Sequence, residues 1–226
     1  MHLLIINGSP RSEKKSNTTT ILRAFCQGFE QEGHTTETWY LSDRGQWQAV
    51  RQAFAVNEHI LFALPLYVEN IPGLMLEFLQ TLEPKTEPGA RLYFLLQSGF
   101  SEACQRRCGE EYLRRLPAYL GCEFGGVLSR GNLFAVNLVG EKSRRQMVRP
   151  YVEMGRLLAR EGGFLGAEAQ AFSGPETMTP GQIKMFRTLA TPIQGLMFRH
   201  MAKKMGCRQP LDAQPYGHLV KGRPGR

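Results

Sequence analysis

LLIINGSPRSEKKSNTTTILRAF, residues 3–25, runs from four apolar residues into Asn7-Gly8-Ser9-Pro10-Arg11, then a charged spacer, then Ser16-Asn17-Thr18-Thr19-Thr20 and an apolar pattern. An apolar run that stops at turn-forming residues reads as a buried strand, and Ile21, Leu22, Phe25 and Phe29 recur at the spacing of one helix face. The stretch therefore opens a strand–turn–helix unit. Ser-Asn-Thr at the junction suits any helix start, because a side-chain oxygen satisfies one of the unpaired N–H groups of the first turn. The same first turn offers N–H groups and the positive end of the helix dipole to an anion such as phosphate. Capping and phosphate binding use the same residue types, so this loop alone leaves both open. No Gly-Lys-Ser/Thr ending is present, which excludes the NTPase type of phosphate loop, and no GxGxxG comes after any strand.

Working outward, the same alternation repeats. Residues 2–7 read as a strand, 17–32 as a helix stopped by Gly33, and 34–41 as a Thr-rich strand suited to a sheet edge. A short helix is expected over 45–56, a strongly apolar strand over 59–67, and a helix over 71–83 with Pro72 near its first turn. Residues 91–99 and 122–131 complete the strands, with helices over 102–120 and 141–161. This predicts an α/β doubly wound sheet of five parallel strands with helices on both faces. Right-handed crossovers leave few topologies, of which strand order 2-1-3-4-5 is a common one. Ligands in such sheets sit beyond the carboxyl ends of the strands, so the loops after strands one, three and four are expected to carry function.

Composition narrows the classes. The chain has 226 residues, 42% of them hydrophobic, which suffices for a substantial core. No apolar run approaches the roughly 20 residues of a membrane-spanning helix, and Leu3–Ile6 is too short for a signal peptide, so a soluble cytoplasmic protein is expected. The five cysteines form no CxxC pair, and reduced thiols are expected. Cys104 and Cys108 stand one helical turn apart without a neighbouring His or second Cys pair, short of a zinc site, and no metal is expected. Neither HExxH nor GxSxG is present, which argues against zinc proteases and nucleophile-elbow hydrolases.

The net charge of +8 is unevenly placed. From Thr179 onward there are nine Lys/Arg and one acid, Asp212, while the rest holds 19 basic and 19 acidic residues. A neutral body, assigned to residues 1–165, is thus followed by a basic helical C-terminal extension, 166–226, with a disordered tail expected in LVKGRPGR, 219–226. Thr179-Pro180 reads as an N-cap and first turn. Ile183, Phe186, Leu189, Ile193, Leu196, Met197, Met201 and Met205 recur at helical spacing, Pro192 is expected to divide the helix, and Lys184, Arg187, Arg199, Lys203 and Lys204 lie opposite. Packing of this stripe on protein is the favoured reading, and contact of 179–205 with an anionic membrane surface the alternative. No nucleic-acid partner is expected.

After strand three comes PLYVENIPGLMLEFL, 65–79, and at the end of strand four QSGF, 97–100. Together with GSPR and Ser16-Asn17-Thr18, these motifs resemble the flavodoxin-like NADPH-dependent FMN reductases, or NAD(P)H-dependent oxidoreductases, over about residues 2–160. The resemblance implies an FMN phosphate held by Ser9, Arg11, Ser16, Asn17 and Thr18. It implies an isoalloxazine ring bordered by Pro65, Leu66, Tyr67, Val68, Glu69 and Asn70, and a pyrimidine side flanked by Ser98, Gly99 and Phe100. It further implies a homodimer that passes a hydride from NAD(P)H through FMN to a quinone or other small acceptor, with no side-chain acid or base. The first loop is longer than in many relatives, Glu77 stands where they often carry a Lys or Arg, and the cysteine cluster of iron-sulfur relatives is missing. The rival readings are an electron carrier of the same fold and a non-enzymatic adaptor acting through the basic helix.

Overall fold

In the computed structural model, which describes residues 1–67, 70–185, 188 and 191–214, strand β1 spans His2–Asn7. It sends Leu3 and Ile5 to one face of the sheet and Leu4 and Ile6 to the other, the period of two that extended backbone imposes. The central strands β3, His59–Pro65, and β4, Arg91–Gln97, divide in the same way. Leu61, Ala63, Tyr93 and Leu95 join the first face, and Ile60, Phe62, Leu64, Leu92, Phe94 and Leu96 the second. All of these are wholly buried, so neither central strand has a polar side. Such strands require cover on both faces, which a parallel sheet with helical crossovers supplies. With β2, Thr35–Tyr40, and β5, Glu123–Arg130, the sheet has the order β2-β1-β3-β4-β5 with every pairing parallel, as expected.

Helices α1, Asn17–Gln31, and α5, Glu141–Glu161, cover the first face. On the second face lie α2, Trp47–Val56, α3, Gly73–Leu79, and α4, Arg107–Tyr119. Two helices are shorter than their apolar patterns suggest. The α3 helix stops where the Thr81 hydroxyl donates to the Phe78 carbonyl at 2.7 Å, a side chain competing for a helical acceptor. Ahead of α4, residues Ala103–Arg106 form a 3₁₀ turn, whose Ala103 and Cys104 amides donate to the Pro175 and Glu176 carbonyls.

The chain divides into two compact units, Met1–Thr177 and Met178–Arg226. The first continues past residue 165 through α6, Ala167–Phe172, whose Ala169 and Phe172 sit in the first-face core. Just before α6, the Phe164 amide donates to the Gly125 carbonyl at 2.8 Å and covers the outer edge of β5. Among the described residues, no strand pairs with the outer edge of β2. The second unit holds α7, Pro180–Met185, and α8, Thr191–Lys204. Thr179 and Gln182 cap α7 reciprocally, Gln182 N–H donating to the Thr179 hydroxyl and Thr179 N–H to the Gln182 side chain. Pro192 falls in the first turn of α8, where its missing N–H costs nothing. Ile183, Met185, Leu196, Phe198 and Met205 are exposed. Phe186, Arg187, Leu189 and the tail 219–226 lie outside the described residues, as do the side chains of Ile193 and Met197. No described helix is long and apolar enough to cross a membrane.

The α1–α5 contact is made by main chain. A Cβ on Gly28 would stand 1.8 Å from the Val152 carbonyl oxygen, and one on Gly155 2.0 Å from that of Phe25, so both positions need glycine for the helices to approach. In an exposed helix, Gly→Ala stabilises by about 1 kcal/mol. Here Gly155→Ala is expected to reverse that sign and cost about 1–3 kcal/mol by overpacking. Urea unfolding will register this as a lower midpoint with an unchanged slope.

Candidate functional site

The β1–α1 junction sits at the point where the crossovers from β1 lead to opposite faces of the sheet, next to β3. Asn7, at the end of β1, is buried and organises the turn into the loop. Its Oδ1 accepts from Ser9 N–H at 3.0 Å, an Asx turn, and its Nδ2 donates to the Thr19 hydroxyl at 3.0 Å. The Ser9 hydroxyl accepts in turn from Arg11 N–H at 3.3 Å. After a 3₁₀ turn, Glu13–Lys15, Ser16 caps α1 by accepting from Thr19 N–H at 3.2 Å.

Several of the expected phosphate ligands are therefore drawn into the fold as hydrogen-bond acceptors. Ser9, Ser16 and Thr18 are buried, and the Thr18 hydroxyl accepts from the Gln97 amide at 3.5 Å, the long end of hydrogen bonding. Asn17 turns its side chain toward the loop after β5, donating to the carbonyls of Leu133 at 3.0 Å and Phe134 at 3.2 Å. The hydroxyls of Ser9, Ser16 and Thr18 keep their O–H donors, and two main-chain groups are also open. The Asn17 and Thr18 N–H groups, first in the helix, find no acceptor among the described residues. The exposed Arg11 side chain has no protein partner among them either, and Lys14 and Lys15 are exposed on the same loop. An anion at this helix start meets two free amides, the helix dipole and nearby cations.

The loop after β3 is turned in on itself. Tyr67 and Asn70 exchange amide-to-carbonyl bonds at 2.8 and 3.1 Å, and Leu66 N–H donates to Gln97 O at 2.8 Å. Val68 and Glu69, the remaining expected members of this loop, lie outside the described residues. Pro65 ends β3 opposite Gln97 in the register, buried and without an N–H. This loop thus offers no free amide among Leu66, Tyr67 and Asn70; it presents instead the Tyr67 ring, 43% exposed. Glu77, in α3, is held on the surface by a two-pronged ion pair with Arg44, whose guanidinium keeps its carboxyl below the usual range.

After β4 the arrangement differs. Ser98 N–H donates to Arg130 O at 3.1 Å, but the N–H groups of Gly99, Phe100 and Ser101 have no acceptor among the described residues, and the Phe100 ring is 70% exposed. Two contributors escaped sequence reasoning. The loop after β5 is bonded to the α1 start, through Asn17 and through Thr20, whose hydroxyl donates to Asn137 Oδ1 at 2.7 Å, and its Phe134 ring is exposed. Arg106 is wholly buried behind the 98–102 loop. A basic residue in a charged helical stretch reads as surface, and nothing in its spacing marks it as buried. Elsewhere, a groove of about 580 Å³ between α1 and β2 is lined by Arg23, Cys26, Glu30, Thr36 and Tyr40. Burial pushes the Cys26 thiol there up to about 11, which disfavours the nucleophilic thiolate.

A family model described as a flavodoxin-like fold matches residues 1–82. Among solved structures, an FMN-dependent NADH-azoreductase from Bacillus anthracis, in complex with FMN, is 15% identical, with 70% of this chain and all of that one covered and a TM-score of 0.53. An NAD(P)H:quinone oxidoreductase from Methanothermobacter marburgensis is 17% identical, covering 71% of this chain and 94% of that one with a TM-score of 0.51. An oxidoreductase from Corynebacterium diphtheriae is 16% identical, at 71% and 96% coverage and a TM-score of 0.51. No curated protein matches. The chain has the flavodoxin-like fold, and these similarities agree with the resemblance carried by its loop motifs.

The capping role of Ser16 is open to a direct check. Ser16→Ala is expected to lower unfolding stability by about 1 kcal/mol, whereas Ser16→Gly, which tolerates the cap backbone, costs only a few tenths. Urea midpoints of the two variants, compared with the parent, measure the difference.

Proposed function

We propose that the protein is an FMN-dependent NAD(P)H oxidoreductase that reduces a quinone or another small acceptor. The observation that carries this reading is the pair of uncommitted amides, Asn17 and Thr18, at a helix start beside the topological switch point, a ready-made seat for a phosphomonoester. Exposed aromatic side chains on the neighbouring loops, Tyr67 and Phe100, suit a flat heterocycle extending from that seat. The fold and the names of the similar structures support the same choice.

In this reading Asn17 and Thr18 N–H bind the phosphate, with Arg11 adding charge from the exposed side of the loop. Tyr67 and Phe100 border the ring and limit water at its faces. Gly99, Phe100 and Ser101 supply the N–H groups for its pyrimidine edge, since those of Leu66, Tyr67, Asn70 and Ser98 are already engaged. Fixed N–H dipoles aimed at an edge that gains negative charge stabilise that charge without reorganisation. FMN, when bound, supplies the redox chemistry itself, taking a hydride from the nicotinamide and handing reducing equivalents to the acceptor. The chain need then supply no side-chain acid or base. A homodimer working in the cytoplasm belongs to the same proposal.

The test separates the amide from the side chain. Asn17 is the first helical residue, where proline is tolerated, so Asn17→Pro removes the N–H while Asn17→Ala keeps it. A hydrogen bond to a charged group is worth about 1.5–3 kcal/mol, so FMN is expected to bind the Pro variant at least about tenfold more weakly than the Ala variant. Riboflavin, which lacks the phosphate, should bind both alike; quenching of flavin fluorescence reads each affinity. Equal FMN affinities remove the phosphate from this site, and a parent protein that takes up no FMN ends the flavin reading. NADPH consumption that depends on added quinone distinguishes a reductase from a carrier.

A further inference from the structure

Arg106 has no exposed surface, and no carboxylate lies within ion-pair distance of its guanidinium among the described residues. A buried charge without a counter-charge is unfavourable unless neutral dipoles replace the water it lost. Here they do. Nε donates to the Ser129 hydroxyl at 2.8 Å, Nη2 to the Ser173 carbonyl at 2.7 Å, and Nη1 to the carbonyls of Glu102 at 3.0 Å and Phe100 at 3.4 Å. Burial opposes its charge and the Glu110 carboxylate favours it, although the Glu110 ion pair is made to Arg107 at 2.5 Å. An arginine so placed stays charged, since guanidinium does not deprotonate in proteins.

The consequence lies in the peptide planes of the loop. The Phe100 carbonyl accepts from three groups on the inner side, Arg106 Nη1, the Ser98 hydroxyl at 3.1 Å and Asn132 N–H at 3.0 Å. In a planar trans peptide the N–H points opposite to the C=O. Drawing the Phe100 oxygen inward therefore turns the Ser101 N–H outward, where it finds no acceptor among the described residues. Space behind the loop is tight: a Cβ on Gly131 would stand 1.8 Å from the Phe100 oxygen and 2.5 Å from Arg106 Nη1.

We propose that Arg106 is a positioning residue that fixes the Ser101 amide toward the cofactor edge and, as the buried cation behind the 98–102 loop, raises the reduction potential of the bound flavin. This rests on the FMN reading above. Reduction by hydride brings two electrons and one proton to the ring, leaves the nicotinamide oxidised, and adds one negative charge to the flavin. A fixed positive charge and an outward N–H on that side favour the reduced form over the oxidised one.

The experiment measures the reduction potential of FMN bound to the parent protein, Arg106→Lys, Arg106→Met, Ser101→Pro and Ser101→Ala, by equilibration with a reference dye during slow reduction. Arg106→Met is expected to lower the preference for reduced over oxidised FMN at least tenfold, about 30 mV more negative for a two-electron couple. Arg106→Lys, which keeps the charge, should restore most of the loss. Ser101→Pro removes the amide together with the hydroxyl and Ser101→Ala the hydroxyl alone, so a potential more negative in the Pro than in the Ala variant isolates the amide and tests its half of the assignment if Arg106→Met does not fold. A merely structural staple would weaken oxidised and reduced FMN equally and leave the potential unchanged in every variant; that result overturns the assignment alone. No FMN uptake by the parent protein overturns the flavin reading and this assignment with it.

Discussion

Main-chain contact between α1 and α5 governs where the functional loops stand. With glycine at 28 and 155 the two helices meet backbone to backbone, and the α1 axis is fixed against the sheet's first face by contact rather than by fluid packing. The N-terminal end of α1 is then tied on three sides: to β1 through Asn7, to β4 through Gln97, and to the loop after β5 through Asn17 and Thr20. A parallel sheet delivers every strand end to the same edge, so these few bonds suffice to bring the loops after β1, β4 and β5 around one helix start.

Much of this was legible in the sequence, for reasons that differ between residues. The helix over 141–161 appears with the expected bounds because its apolar positions, Tyr151, Met154, Leu157 and Leu158, keep to one face without interruption. Strands β3 and β4 were legible because two-sided burial makes their interiors, residues 60–64 and 92–96, nearly continuous apolar runs. The direction of hydroxyls was not. Composition marks Ser16 and Thr18 as polar residues at a helix start, yet Ser16 turns to the Thr19 amide as a cap and Thr18 to the side chain of Gln97, which is distant in sequence. The turn at Tyr67–Asn70 consumes its own amides through a reciprocal bridge that no motif encodes. Arg106 was invisible for the opposite reason, since its environment is assembled from Ser129 and Ser173, far along the chain.

The three loops consequently divide their labour by which polar atoms each has left uncommitted. The first keeps two helix-start amides, the second keeps an aromatic ring, and the third keeps consecutive amides beside an exposed phenylalanine. Residue type alone does not separate this candidate site from an ordinary sheet edge, because capping and ligand binding draw on the same side chains.

The unequal margins of the sheet have a different significance. At one border the Phe164 amide bonds the Gly125 carbonyl, while at the other no described strand pairs with the outer edge of β2. An unpaired strand edge is a template for an incoming strand. The Glu37 carboxylate on β2 and the shortness of the strand, Thr35–Tyr40, work against such additions, so the guard against edge-to-edge aggregation is carried by one six-residue segment.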